Sequence, residues 1–304
     1  MRKQIRIWLC LAVLLCVFSQ SISASALTAL DVERPCSLTL NYTKDGTAFP
    51  GLDILIFRVA ECHADGTFDL TGAFADYPVN IHGITTQKQW QDAAQTLASY
   101  ATADGVDPTA MMVTDAAGAA KFEDLQTGLY LVLDVEAETQ EGTFWFGQSL
   151  VLLPRPDEGG EYEYDLEARP KPSALTPWGE YTVVKLWKDA GQTGKRPASV
   201  TVDILKDGVL QESVVLSPDN NWSYTWKTDG TGGRWSVVET NVPEDYSVSI
   251  TADGNVFHIT NTLPATPPPP ETGDYTPIWP MVLAMSISGC MLLILGIWQK
   301  RKQK

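Results

Sequence analysis

The feature that most constrains this 304-residue chain is a rhythm. Between residues 178 and 263 it breaks into short runs of alternating apolar and polar residues: EYTVVKLW, SVTVDILKDGVLQESVVL, NNWSYTWK, GRWSVVET, DYSVSIT and VFHITNT. Asp-Gly and Pro-Asp punctuate them. Successive side chains on an extended strand point to opposite faces, so each run presents one apolar face. Asp-Gly supplies the positive φ angles that a two-residue hairpin turn requires. Short strands with turn signals at regular spacing predict a β-sandwich.

Residues 30–170 carry the same rhythm in CSLTLNYTKDGTAFPGLDILIFRVA, AAKFEDLQTGLYLVLDVEAE and GTFWFGQSLVLLP. One segment departs from it. TTQKQWQDAAQTLASYATADG places Trp90, Ala93, Ala94, Leu97, Ala98 and Ala101 on one helical face. Thr86 and Gln89 have capping-box spacing and Gly105 is a stop signal, which predicts a helix over about 86–103. The fold class expected is all-β: two tandem Ig-like or prealbumin-like sandwiches, the first (30–170) with this helical insertion and the second at 178–263. ARPKPSALTPWG reads as a linker over 171–177, and LPATPPPPETG opens a proline-rich spacer over 264–277.

Three polar residues in the second sandwich point the wrong way. Tyr181, Val183, Lys185 and Trp187 share a face, so Lys185 is aimed at the core. By the same alternation, Glu239 shares a face with Trp235 and Val237, and Asn261 shares one with Phe257 and Ile259. Burial lowers a lysine's pKa and raises a glutamate's, driving both toward neutral. A neutral amine is a nucleophile, and a protonated carboxyl beside an amide polarises its carbonyl and relays protons. Held close in a dry core, the lysine would displace ammonia from the asparagine and leave an amide crosslink. The bland alternative is a buried ion pair or partial exposure at strand ends.

These residues carry a family resemblance. VVKLWKDAGQTGKRPASVTVDILKDG, NNWSYTW, WSVVETNVPEDY and ITNT, in that order, resemble a Cna B-type domain, the self-crosslinking sandwich of Gram-positive surface proteins and pilins. The resemblance implies an intramolecular isopeptide bond between Lys185 and Asn261, with Glu239 as the catalytic acid. The first sandwich resembles the same superfamily less closely. Asp134 stands where Glu239 stands in the second, Asn41 or Tyr42 occupies the lysine position, and YEYDLEARP has no asparagine, so no crosslink is expected there.

Both ends read as export signals. Arg2, Lys3 and Arg6 precede an apolar core, and Ala24-Ser25-Ala26 fits a cleavage site, giving a signal peptide over 1–26. Ile278 to Trp298 is an uncharged, mostly apolar run long enough to span a bilayer, and the basic tail 299–304 would stay cytoplasmic. Pro269, Pro270, Glu271, Thr272 and Gly273, followed by that span and tail, resemble an LPxTG-type sorting signal with proline in place of leucine. The resemblance implies a sortase that cuts between Thr272 and Gly273 and joins the chain to peptidoglycan or to another pilin subunit. Lys171 in ARPKPS resembles the acceptor lysine of backbone pilins, with Arg169 in place of the motif's tyrosine; a solvated linker lysine is the alternative.

Charge and cysteines narrow the function further. Three of the 22 Lys and Arg lie in the leader and four in the tail, so the region between carries 15 against all 37 Asp and Glu, a balance of −22. Such a surface repels nucleic acid. Of five cysteines, only Cys36 and Cys62 fall in the exported body, where a disulfide is chemically allowed. If their strands pair around the turn near Phe49, the two stand almost opposite and a disulfide would close the hairpin; two free buried thiols are the alternative. His63, His82 and His258 are scattered in sequence and suggest no metal site, and no cofactor is expected. The reading is a structural, wall-anchored pilin-like protein rather than an enzyme. The alternative is an adhesin whose first domain binds host matrix or glycans.

Overall fold

Turn chemistry sets the strand ends. At Asp45-Gly46 and Asp207-Gly208 both central residues have positive φ, and the flanking residues pair across the turn, Lys44 with Thr47 and Lys206 with Val209. The computed structural model describes residues 30–264 apart from 140, 141, 158, 175–178 and 231. The expected leader, sorting motif, span and basic tail lie outside the described residues. Among the described residues no helix is long and apolar enough to cross a membrane.

The first half is built on β1 (Cys36–Asn41), β2 (Asp53–Cys62), β3 (Phe68–Leu70), helix α1 (Gln87–Ala103), β4 (Ala110–Val113), β5 (Ala119–Leu125), β6 (Gly128–Val132), β7 (Val135–Thr139), β8 (Gly142–Phe146), β9 (Ser149–Leu153), β10 (Asp165–Ala168) and β11 (Pro172–Ala174). Strand β1 is central in a three-stranded sheet, parallel to β10 and antiparallel to β5. A second sheet runs β9-β6-β2-β3, with β4 also on β2, and a third runs β11-β8-β7. Strand β6 is buried at every position. Its Tyr130 and Val132 join Leu38, Leu40 and Phe122 in one core, while Leu129 and Leu131 face the other way, into the core that holds α1. A sheet covered on both faces demands such an unbroken apolar run.

Two sequence expectations change here. Strands β1 and β2 do not pair around the turn near Phe49. Cys36 lies opposite Leu125 in one sheet, and Cys62 lies opposite Phe68 in another. Both are buried free thiols in this structure. The stretch 171–177, expected as linker, contains a strand: Pro172–Ala174 pair with Phe144–Phe146.

The second half contains β12 (Glu180–Lys188), β13 (Val200–Lys206), β14 (Val209–Leu216), β15 (Ser223–Lys227), β16 (Trp235–Glu239), β17 (Ser247–Asp253) and β18 (Val256–Thr262). They form a four-stranded sheet, β15-β12-β18-β17, and a three-stranded sheet, β14-β13-β16. Strands β12 and β18 run parallel side by side, so the first and last strands of the sandwich are neighbours. Their inward residues alternate with outward ones as the pattern requires: Tyr181, Val183 and Lys185 on β12 are buried, and so are Phe257, Ile259 and Asn261 on β18.

Helix α1 begins as its sequence dictates. The Thr86 hydroxyl accepts from the Gln89 amide, and the Gln89 side chain accepts from the Thr86 amide, completing the capping box. Gly105, at φ +60°, follows the C-cap residue Asp104. The helix buries more than the expected face, because Thr96, Ser99 and Tyr100 are buried as well. One core runs from Phe57, Leu129 and Leu131 through Leu97 and Ala98 to Val183, Val237 and Ile250, so α1 lies between the β2–β6 sheet and the second sandwich.

Candidate functional site

Three strands deliver the site. Lys185 comes from β12, Asn261 from the adjoining β18, and Glu239 from β16 on the opposite sheet. Lys185 is level with Ile259 in the parallel ladder, and Asn261 is two residues further along the same face. Glu239 pairs with Val202 on β13 and reaches across the sandwich.

The Lys185 Nζ is 3.2 Å from Glu239 Oε2, and both side chains have no solvent exposure. The Asn261 Nδ2 donates to Glu239 Oε1 at 2.8 Å. The lysine amine also lies 4.2 Å from the centre of the Trp187 ring, which Trp222 and Tyr246 contact edge-on. Lys185, Glu239 and Asn261 are therefore one buried cluster, as the alternation predicts.

The electrostatics follow from that burial. Desolvation pulls Lys185 down to about 8 from an ordinary 10.5, with Glu239 opposing the shift. Desolvation pushes Glu239 up, opposed by Lys185 and by the Asn261 hydrogen bond. Each group is driven toward its neutral form. Two atoms of the cluster lack a hydrogen-bond partner: Asn261 Oδ1, and Glu239 Oε2, which faces the amine outside hydrogen-bond geometry. A buried ion pair of this kind contributes little net stability. An amine and a carboxamide that meet the two oxygens of one buried carboxyl, shut off from water, have the groups that amide exchange needs.

The remaining candidates sit elsewhere. Asn41 donates to Glu167 at 2.8 Å on the exposed side of β1, while Tyr42 is buried in the first core. Asp134, in the position corresponding to Glu239, is ion-paired with Arg234 of the second half, and burial still raises its pKa. Lys171 is exposed, just before β11. His63 and His82, distant in sequence, both approach Asp69, at 2.9 Å and 3.7 Å, so they are less scattered than the sequence suggests. Among the described residues no group forms a metal-ligand cluster.

Sequence reasoning missed the contacts that α1 makes with this sandwich. The Tyr100 hydroxyl donates to the Glu239 carbonyl at 2.9 Å, and the Thr96 hydroxyl accepts from the Ile250 amide at 2.8 Å. A signal was present: from Ala93 to Ala103 the helix has no charged residue. A helix without a charged face is buried on more than one side.

Known proteins resemble this chain as follows. A collagen adhesin of Staphylococcus aureus is 27% identical over 194 residues, covering 57% of this chain and 15% of the adhesin. The major pilin SpaD of Corynebacterium diphtheriae matches 77% of this chain and 65% of its own, at 18% identity and a TM-score of 0.32. A single B repeat of the S. aureus collagen-binding surface protein matches 76% of this chain and 99% of its own, at 16% identity and a TM-score of 0.26. Residues 181–262 match the family model of the Cna protein B-type domain, a stretch that opens in the strand carrying Lys185 and closes in the strand carrying Asn261.

Proposed function

We propose that this chain is a structural cell-surface protein of the pilin type whose second sandwich locks itself with a Lys185–Asn261 isopeptide bond. The supporting observation is the buried contact of Lys185, Glu239 and Asn261. Glu239 takes a proton from the Lys185 ammonium, which frees the Nζ lone pair. Nζ attacks Asn261 Cγ. Glu239, now protonated, donates to the oxygen as negative charge develops there, and a half-turn of the amide would bring Oδ1 to the place where Nδ2 now meets the acid at 2.8 Å. The Nζ–Cγ bond forms and the Cγ–Nδ2 bond breaks. The second proton shed by Nζ passes to the leaving nitrogen, and ammonia departs. The proton count closes with Glu239 protonated beside a neutral amide. Proximity and exclusion of water supply much of the rate, and the chemistry happens once per chain.

The rest of the reading follows the chain order. The proline-rich spacer holds the crosslinked sandwich off the wall, and a sortase cuts after Thr272 and transfers the chain to peptidoglycan or to a pilin lysine. Lys171 is the acceptor if the protein polymerises. Peptide mapping of the secreted chain tests the crosslink: a branched peptide joining Lys185 to Asn261 is expected in the wild type and absent in Glu239→Ala. Separate linear peptides in the wild type would refute it. Mass spectrometry of wall digests tests the anchor, and a C-terminus still intact beyond Gly273 would refute sorting.

A further inference from the structure

Strand β16 is an edge of the three-stranded sheet, and β17 is an edge of the four-stranded sheet. Edge strands leave a row of backbone groups without ladder partners. Helix α1 answers both edges from a single face. Thr96 and Tyr100, one turn apart, reach Ile250 on β17 and Glu239 on β16 respectively. The Thr96 hydroxyl donates to the Asp92 carbonyl at 2.6 Å, which leaves its oxygen free to accept from the Ile250 amide. Just before the helix, the Pro78 carbonyl accepts from the Val248 amide at 2.7 Å, another contact on β17. Tyr77 lies against the Tyr100 ring at 4.9 Å and is tied to Asp104 at 2.8 Å. Leu97, Ala98 and Ala101 fill the space between, in one core with Val237 and Ile250. The residue whose carboxyl contacts Lys185 and Asn261 therefore has its own main-chain carbonyl held by the first half of the protein.

We propose that α1 is the third wall of the crosslink chamber and that Tyr100 is a positioning residue for Glu239, so that the second sandwich crosslinks at full rate only once the first half has folded and docked. This rests on the isopeptide reading above. The wall acts in two ways. It fixes the β16 backbone at the acid, so that the Glu239 carboxyl sits between amine and amide. It also closes the open side of the sandwich to water, which sustains the desolvation that drives Lys185 and Glu239 toward neutral. Tyr100, with Tyr77 and Asp104 beside it, faces Glu239 from the helix side, and Arg196, Tyr246 and Asp189 gather around the Trp187 ring that the Lys185 amine meets.

The experiment uses the whole chain, recovered unfolded and uncrosslinked from inclusion bodies. Refolding is started by dilution, aliquots are quenched in acid, and intact mass gives the fraction that has lost ammonia. Tryptophan fluorescence follows folding in parallel. Tyr100→Phe, which keeps the ring and removes the donor, is expected to slow ammonia loss about fivefold while folding on the wild-type time course. Tyr100→Ala is expected to slow it tenfold or more and to move the alkaline fall of the rate toward higher pH, because water restores an ordinary lysine and the pair keeps its shared proton to higher pH. Wild-type rates in both Tyr100 variants would overturn the proposal. So would slowing matched by slower folding with an unchanged pH profile, which would make Tyr100 a folding residue only. If the wild type never loses ammonia, the isopeptide reading falls first and takes the wall with it.

Discussion

Replacing Asn261 by alanine removes the proposed electrophile and leaves Lys185 and Glu239 in place, so it separates the proposed crosslink from the ion pair beneath it. Closing the chain between residues 185 and 261 restricts the unfolded ensemble as a disulfide of that span would, a stabilisation of about 4 kcal/mol on the loop-entropy expression. The variant should lose that amount at neutral pH and should also acquire a pH dependence that the wild type lacks. Lys185 titrates near 8 when folded and near 10.5 when unfolded. Between those values the unfolded chain binds more protons, so the variant's stability rises with pH, by up to about 3 kcal/mol. Glu239 is raised above its ordinary 4.5, so above that value the folded state holds the extra proton and stability falls as pH rises through the window. The variant is therefore least stable near neutral pH, between the two windows. With the proposed crosslink in place Lys185 Nζ would be an amide nitrogen, and the alkaline window would disappear in the wild type. Guanidinium unfolding from pH 5 to 10.5, read by the fluorescence of Trp187, Trp222, Trp226 and Trp235, measures both effects. Equal midpoints for variant and wild type, with parallel pH profiles, would refute the reasoning.

Three further outcomes follow from other parts of the structure. Arg234→Ala strands the Asp134 carboxylate, whose side chain is 2% exposed, and should cost about 3 kcal/mol in thermal unfolding, with the loss growing as pH rises; an unchanged melting point would show that the pair is not formed. Cys36 and Cys62 should resist iodoacetamide in the native protein at pH 8, because burial raises both and pushes Cys36 up to about 11, and both should react once the chain is unfolded without reductant; no labelling after unfolding would reveal a disulfide. Thr86→Ala removes the α1 cap and should destabilise by about 1 kcal/mol, which chemical unfolding would register.

What could be read in advance was local. The Thr86–Gln89 cap, the two Asp-Gly turns and the inward face of β12 depend on residues a few positions apart, so spacing alone specifies them. The cluster was legible because period-two alternation turns a lone Lys185 or Glu239 on an apolar face into a statement about burial. The expected pairing of β1 with β2 is not found, because strands consecutive in sequence need not be neighbours in a sheet. Instead β1 takes β5 and β10 as partners, and no local signal in CSLTLN announces that choice. The strand at Pro172–Ala174 is hidden by its proline, which a strand tolerates at an edge such as β11 occupies. The docking of α1 was hidden because Thr96 and Tyr100 are off the face that its apolar spacing defines. Only the absence of charge from Ala93 to Ala103 recorded that this second face is covered.

Intact mass spectrometry of the secreted wild-type protein tests the proposed bond between Lys185 and Asn261 most directly. The predicted result is a mass one ammonia below that of the processed sequence, with no such deficit in Glu239→Ala measured against its own sequence. A wild-type mass equal to the processed sequence would contradict it and leave Lys185, Glu239 and Asn261 as a buried polar cluster without chemistry.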